Sequence, residues 1–245
     1  MTLSQYTIHG FWGPRRETPE ELAIRFDRLI DRLARIDPVF GNWIWCGRQP
    51  EPIAFASIRS RLAEKIAAAI SRGDYGEPIP LFGYGFGTIN SMKTTPRSIS
   101  VDVFGGRAFR ADYYINDATI ETGWRVEPDP AIVTYPIFRA ALLALAECCD
   151  VTFVSAYPWD LHDLWPNGLK FRFGWIHYVS PRFAPLVTPP HTAIVEYRPN
   201  GGLFMAATDE TFITANPKHL AVARDIEAAI APLNALPWPL DDEAG

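Results

Sequence analysis

A chain of 245 residues with 48% apolar and 21% charged side chains can bury one sizeable core, which excludes a disordered polymer and a disulfide-stapled miniprotein. Its 28 acidic against 23 basic residues leave a formal charge of −5, which argues against a broad nucleic-acid-binding surface and suits a basic partner. Cys46, Cys148 and Cys149 are odd in number and lack metal-ligand spacing, so they read as reduced thiols. The opening MTLSQYTIHGFWG has no basic segment followed by an apolar one, and no run approaches the length of a membrane span; the expected compartment is the cytoplasm.

In chain order, Gln5 to Trp12 predicts a first strand ending at Gly13-Pro14. Thr18-Pro19-Glu20-Glu21 is a capping box, and Leu22, Phe26, Leu29, Ile30, Leu33 and Ile36 recur at helical spacing until Asp37-Pro38. Asn42 to Cys46 predicts a short buried strand. Ile58, Leu62, Ile66 and Ile70 predict a second helix over Ser57 to Ser71, stopped by Gly73. In Phe82 to Gly87 the aromatics fall on one strand face and the glycines on the other, a surface expected to pack under a tryptophan. The segment does not form a dinucleotide fingerprint, and no helix follows it.

Ile99, Val101 and Val103 alternate with polar residues, and Gly105-Gly106 is expected to turn the chain into a paired strand over Arg107 to Asn116. Gly123 to Pro130, rich in turn formers, is the place for a boundary if the single domain over 1–245 has two lobes. Pro136 to Cys148 is nearly apolar all round and predicts a buried helix. Val151 to Ala156 is β-rich, Tyr157 to Gly168 reads as a loop, and Leu169, Phe171 and Phe173 begin an alternation expected to run as one strand to Val179. Asn200-Gly201 predicts a two-residue hairpin turn with positive φ at both positions, flanked by Ala193, Val195 and Tyr197 before and Leu203, Met205 and Ala207 after. Asn216-Pro217 then caps a last helix with Leu220, Ala223, Ile226 and Ile230 inward. The fold class is α+β, with largely antiparallel sheet and about four helices packed against it.

No nucleophile elbow, P-loop, HExxH or Cys-x-x-Cys is present, so no catalytic residue, cofactor or metal is assigned. The loop Trp159, Asp160, His162, Asp163 and Trp165 has two readings. Its acids and histidine could act in a cytoplasmic hydrolase together with Asp209 and Glu210, or its tryptophans and carboxylates could form a protein interface. His177 reads as a core or edge histidine, and His219 as a capping or solvent-facing one.

The sequence resembles the immunity protein 52 family, found beside toxin genes in bacterial polymorphic-toxin and type VI secretion systems. The likeness rests on Trp12-Gly13 with Arg15 and Arg16, Asp37-Pro38 before Trp43, and above all Gly201-Gly202-Leu203 through Met205-Ala206-Ala207-Thr208-Asp209-Glu210 with Asn216-Pro217. It spans nearly the whole chain. The resemblance implies a non-enzymatic α+β protein that neutralises a cognate toxin, usually one with a restriction-endonuclease-like nuclease domain. The residues expected to meet that toxin are Trp159, Asp160, His162, Asp163, Trp165, Asp209 and Glu210. Neither nucleic acid nor membrane is an expected partner. A metabolic enzyme or a regulatory interaction module would be the alternatives.

Overall fold

Tyr6–Trp12 (β1) alternates its side chains so that Tyr6, Ile8 and Trp12 share one face of the sheet with Gly10, while Thr7, His9 and Phe11 take the other. A Cβ on Gly10 would lie 2.5 Å from Leu145 Cδ2, so the first face is the one on which helix Tyr135–Cys149 (α4) rests. The computed structural model describes residues 5–46, 51–108, 115–123, 126–166 and 170–237. Within them one ten-stranded sheet has β1 near its middle.

The other strands are Ile44–Cys46 (β2), Ile53–Ala54 (β3), Phe82–Ile89 (β4), Ile99–Arg107 (β5), Asn116–Thr122 (β6), Phe153–Pro158 (β7), Ile176–Val179 (β8), Ile194–Tyr197 (β9) and Leu203–Ala206 (β10). Their order across the sheet is β3, β2, β4, β5, β6, β1, β7, β8, β10, β9, and every neighbouring pair is antiparallel. The α+β class is thus observed, with five α-helices among the described residues.

Helix Pro19–Ala34 (α1) starts where the sequence places it. Thr18 Oγ1 accepts from the Glu21 amide while the Glu21 carboxylate accepts from the Thr18 amide, which satisfies two donors the first turn leaves open. Its buried stripe is Leu22, Phe26, Leu29, Ile30 and Leu33. α4 is buried along most of its length, and α1 packs directly on it.

The predicted second helix is instead broken into Phe55–Ile58 (α2), a 3₁₀ turn at Arg59–Arg61, and Leu62–Ala68 (α3). It ends before Gly73 because Ala69 and the residues after it are captured by the sheet: Ala69 O accepts from Gly85 N, and Ser71 N donates to Gly83 O. Phe26, Phe55, Phe86 and Trp45 form the aromatic core beneath, with Trp45 stacked on Phe86 at 5.9 Å. The tryptophan expected against the glycine face of Phe82 to Gly87 instead covers the aromatic face. On the glycine face the Phe104 ring lies against Gly85.

Gly105-Gly106 does not turn the chain. β5 runs through it to Arg107, because a side chain at Gly105 would come 2.5 Å from Leu22 Cδ2 and glycine leaves that space to α1. Its partner is β6, with Val101 opposite Ile120 and Val103 opposite Ala118. The strand expected over Arg107 to Asn116 thus begins at its last residue, and positions 109–114 lie outside the described residues.

The predicted strand from Leu169 to Val179 forms only from Ile176 onward. Leu169 lies outside the described residues. Phe171, Phe173 and Trp175 are all buried, so the stretch plugs the core without ladder pairing: Phe171 packs on Phe11 and Phe153, and its amide donates to Asn234 Oδ1. Asn234 belongs to helix Pro217–Asn234 (α5), capped by Asn216 Oδ1 on the Lys218 amide. Since Phe11 and Phe153 point away from α4, α5 is tied to the opposite face of the sheet, where His177, Val179, Leu203 and Met205 are fully buried.

Burial pushes the His177 imidazole down to about 3, with the backbone of Arg172 and Met205 partly opposing it. The histidine is a core residue. Between the ordinary histidine range and pH 3 the unfolded chain binds a proton that the folded one refuses, so the stability present above the unfolded pKa is lost as pH falls. Wild type should lose about 1.4 kcal/mol per pH unit relative to His177→Leu below pH ~6.5, measured by urea unfolding of both proteins at pH 7 to 4.5. Parallel pH profiles would contradict this.

Candidate functional site at one end of the sheet

The predicted loop after β7 is a 3₁₀ turn, Trp159–Leu164, launched where Pro158 pairs with Tyr6 and Trp159 N donates to Gln5 O at 2.7 Å. Leu161 is its buried peg, while Trp159, Asp160, His162, Asp163 and Leu164 are exposed. The aromatics form a ladder: Trp159 stacks on His162 at 5.5 Å, and His162 lies 5.0 Å from Trp165. Trp165 itself is half-buried, edge-on to Tyr157 at 4.6 Å, with its Nε1 donating to Phe173 O and the Arg172 guanidinium over its ring. Trp165 thus anchors the turn from below, and Trp159 is its outward face, 49% exposed.

The segment after β10 comes to the same end of the sheet. Trp175 Nε1 donates to Thr208 O, Thr208 Oγ1 accepts from the Glu210 amide, and Asp209 and Glu210 face solvent. Tyr6 OH donates to Phe212 O at 2.6 Å, and Thr214 Oγ1 donates to Asp160 Oδ1 at 2.7 Å. His219 is buried rather than solvent-facing; its Nδ1 accepts from Ile213 N, its Nε2 lies 3.7 Å from Glu210, and it pins the loop to α5. The two stretches singled out in the sequence are therefore joined through Tyr6, Phe212 and Thr214, which the sequence reading did not name. Arg224 of α5, over the Phe173 ring and donating to Leu164 O, was missed as well.

Among the described residues no three histidines, cysteines or acids are placed to hold a metal. Asp160 and His162 turn to different partners, Thr214 and the tryptophans. Two surface cavities among the described residues lie elsewhere: one of about 540 Å³ is lined by Ser71, Arg72, Tyr75, Phe82 and Arg107, and one of about 620 Å³ by Thr95 to Arg97 and Glu127 to Pro130. The thiols are not activated either, since burial raises Cys148 and pushes Cys149 up to about 12.

A second acidic group lies on the face of β5 and β6 opposite α1. Burial raises Asp102 and Glu121, and the neighbouring charges of Asp117 and Asp102 respectively add to it. His9 Nε2 sits 3.6 Å from Asp117. Alternation along these strands was the available signal for it.

A shallow surface of exposed aromatic and acidic side chains on rigid elements is the geometry of a protein that acts by covering a partner. The comparisons with known proteins give the family. The sequence matches the family Immunity protein 52 over residues 4–235, and the chain belongs to that family. It is therefore a non-enzymatic immunity protein, which binds a cognate toxin. No curated protein matches the sequence. Among solved structures, the Pseudomonas aeruginosa T6SS protein PA0821 shares the fold with a TM-score of 0.53 at 13% identity, over 94% of this chain and 73% of that one. Among the described residues no helix is long and apolar enough to cross a membrane.

Proposed function

We propose that this chain protects the cytoplasm of its producer against a toxin delivered by a type VI secretion system, and that the toxin is a nuclease with a restriction-endonuclease-like domain. A nuclease must present cationic groups to hold phosphate, and an inhibitor of net charge −5 with exposed carboxylates is complementary to such a face. The likeness to a T6SS protein supports the delivery route. The contact surface in this reading is Trp159, Asp160, His162 and Asp163 with Asp209 and Glu210, supported from below by Trp165. The observation that supports it is the bond from Thr214 to Asp160, which ties the segment following Asp209 and Glu210 to the first acidic stretch.

Co-expression with the toxin domain encoded beside the gene tests the function. Growth should be restored only when this protein is present, and the toxin should degrade DNA or RNA in its absence. A toxin that kills without cleaving nucleic acid would refute the nuclease assignment, and failure to restore growth would refute the pairing.

A further inference from the structure

The two edges of the sheet are built differently. β3 is two residues long and begins directly after Pro52, the usual way of blunting an edge. β9, Ile-Val-Glu-Tyr, carries no proline or lysine, and it leaves Ile194 39%, Val195 36% and Tyr197 71% exposed. Such an edge invites another strand unless it exists to receive one.

The phase of its hydrogen bonds is fixed by the turn. Arg198 N donates to Gly202 O at 2.8 Å, so alternation makes Glu196 opposite Phe204 and Ile194 opposite Ala206 the hydrogen-bonded pairs. The amides and carbonyls of Val195 and Tyr197 then point out of the sheet. Among the described residues they make no backbone bond outside the β9 and β10 ladder.

The strand is held rigid for this role. Asn200 Nδ2 donates to Tyr178 OH, Asn200 Oδ1 accepts from Gly202 N, and Glu196 is clamped by both Arg139 and Arg198, which neutralise its charge. Pre-organisation of this kind lowers the cost of adding a strand.

We propose that an extended segment of the cognate toxin adds to β9 as an eleventh, antiparallel strand, hydrogen-bonding to Val195 and Tyr197. The inference rests on the immunity reading above and names how the partner is held. Continuity with the acidic patch points to the toxin as occupant: Ile194 lies opposite Ala206, and the chain runs from Ala206 directly into Thr208, Asp209 and Glu210. The Tyr135 hydroxyl, raised chiefly by burial and opposed by Arg139, also feels the charges of Asp209 and Glu196. An antiparallel segment ending beside Ile194 would bring a following lysine or arginine onto Asp209 and Glu210. Opposite Val195 and Tyr197 it would carry β-branched or aromatic residues.

The test uses the full-length protein and the purified toxin domain encoded by the adjacent gene, inactivated at its catalytic carboxylate. Hydrogen exchange of the Val195 and Tyr197 amides should slow by at least about tenfold in the complex. Val195→Pro, which removes an outward N–H and leaves the inner ladder intact, should lower affinity by about a hundredfold or more with the thermal midpoint little changed. Val195→Lys with Tyr197→Lys gives the same readout should the proline variant fail to fold. Wild-type binding with unchanged exchange in β9 and undiminished affinity of these variants would overturn strand addition while leaving the immunity function standing. A free wild-type dimer that Val195→Pro converts to monomer, with toxin affinity unaltered, would overturn it in favour of self-pairing. A wild-type protein that does not bind this toxin would overturn the functional reading itself.

Discussion

Trp159→Ala combined with charge reversal at Asp160, Asp163, Asp209 and Glu210 is expected to lower affinity for the cognate toxin by about a hundredfold to a thousandfold and to abolish growth protection. The two kinds of change act on different rates. An exposed tryptophan backed by a stacked histidine and a buried peg is the type of anchor whose truncation costs about 2 kcal/mol or more, and it should raise the dissociation rate. The carboxylates lie in solvent and steer a basic partner, so reversing them should slow association and flatten its salt dependence. All five residues are outside the core, so circular dichroism should stay close to wild type and the thermal midpoint should fall only by what the Thr214 bond to Asp160 contributes. The same variant with Asp160 retained separates that bond from the charge. Undiminished protection by the folded variant would refute this placement of the interface, and strand addition at β9 would then stand or fall on its own measurement.

The largest stability loss from a single polar change is expected at Glu17, which no sequence signal marked. Its side chain is only 3% exposed, and it accepts from Trp12 Nε1 and the Gly106 amide while pairing with Arg15 at 3.1 Å and Arg25 at 3.3 Å. Both arginines also donate to Cys149 O, the last residue of α4. One carboxylate thus ties together the end of β1, the start of α1, the far end of β5 and the end of α4. Glu17→Ala leaves Trp12 Nε1 and the Gly106 amide without this acceptor and the two guanidinium groups without their shared carboxylate, with Cys149 O still bonded to both and Asp150 to Arg15. Breaking a buried pair in this way costs about 3–5 kcal/mol. The arginines keep some contact with water, so the low end applies. Urea unfolding of the variant checks this; a loss below about 1 kcal/mol would show that the network contributes specificity without net stability.

Part of the fold was legible because its causes are local. The capping box at Thr18 and the spacing of Leu22 to Leu33 lie within one helix, and both survive into the structure unchanged. The hairpin before Leu203 was likewise readable, though its register was not: a two-residue turn at Asn200-Gly201 would set Tyr197 opposite Phe204, whereas Tyr197 lies opposite Leu203 and Val195 opposite Met205. Its turn differs in detail. Only Gly201 has positive φ, and Gly201 N donates to Arg198 O across Pro199 and Asn200, so the loop is a three-residue turn with a glycine bulge. Proline at the first central position favours that geometry over the two-residue alternative.

The candidate site was legible only as composition. Tryptophans flanked by acids in Trp159 to Trp165 announce a surface, but the bonds from Tyr6 to Phe212 and from Thr214 to Asp160 span far-separated positions and follow from strand order. Residue type likewise could not say that Trp165 would be spent on Phe173 and Tyr157 while Trp159 faced outward.

By itself, then, the sequence determined the capped starts of α1 and α5, the presence of the hairpin, the α+β class and the family, because capping, periodicity and turn chemistry act over a few neighbouring residues. Only the tertiary structure decided that β5 continues through Gly105, since that depends on Leu22 needing the space. It alone decided that α3 stops at Ala68, since the sheet takes up the chain from Ala69 onward. It also made β9 an edge: an alternating apolar strand reads the same in the middle of a sheet as at its margin, and the difference is set by which strands are left to pair with it.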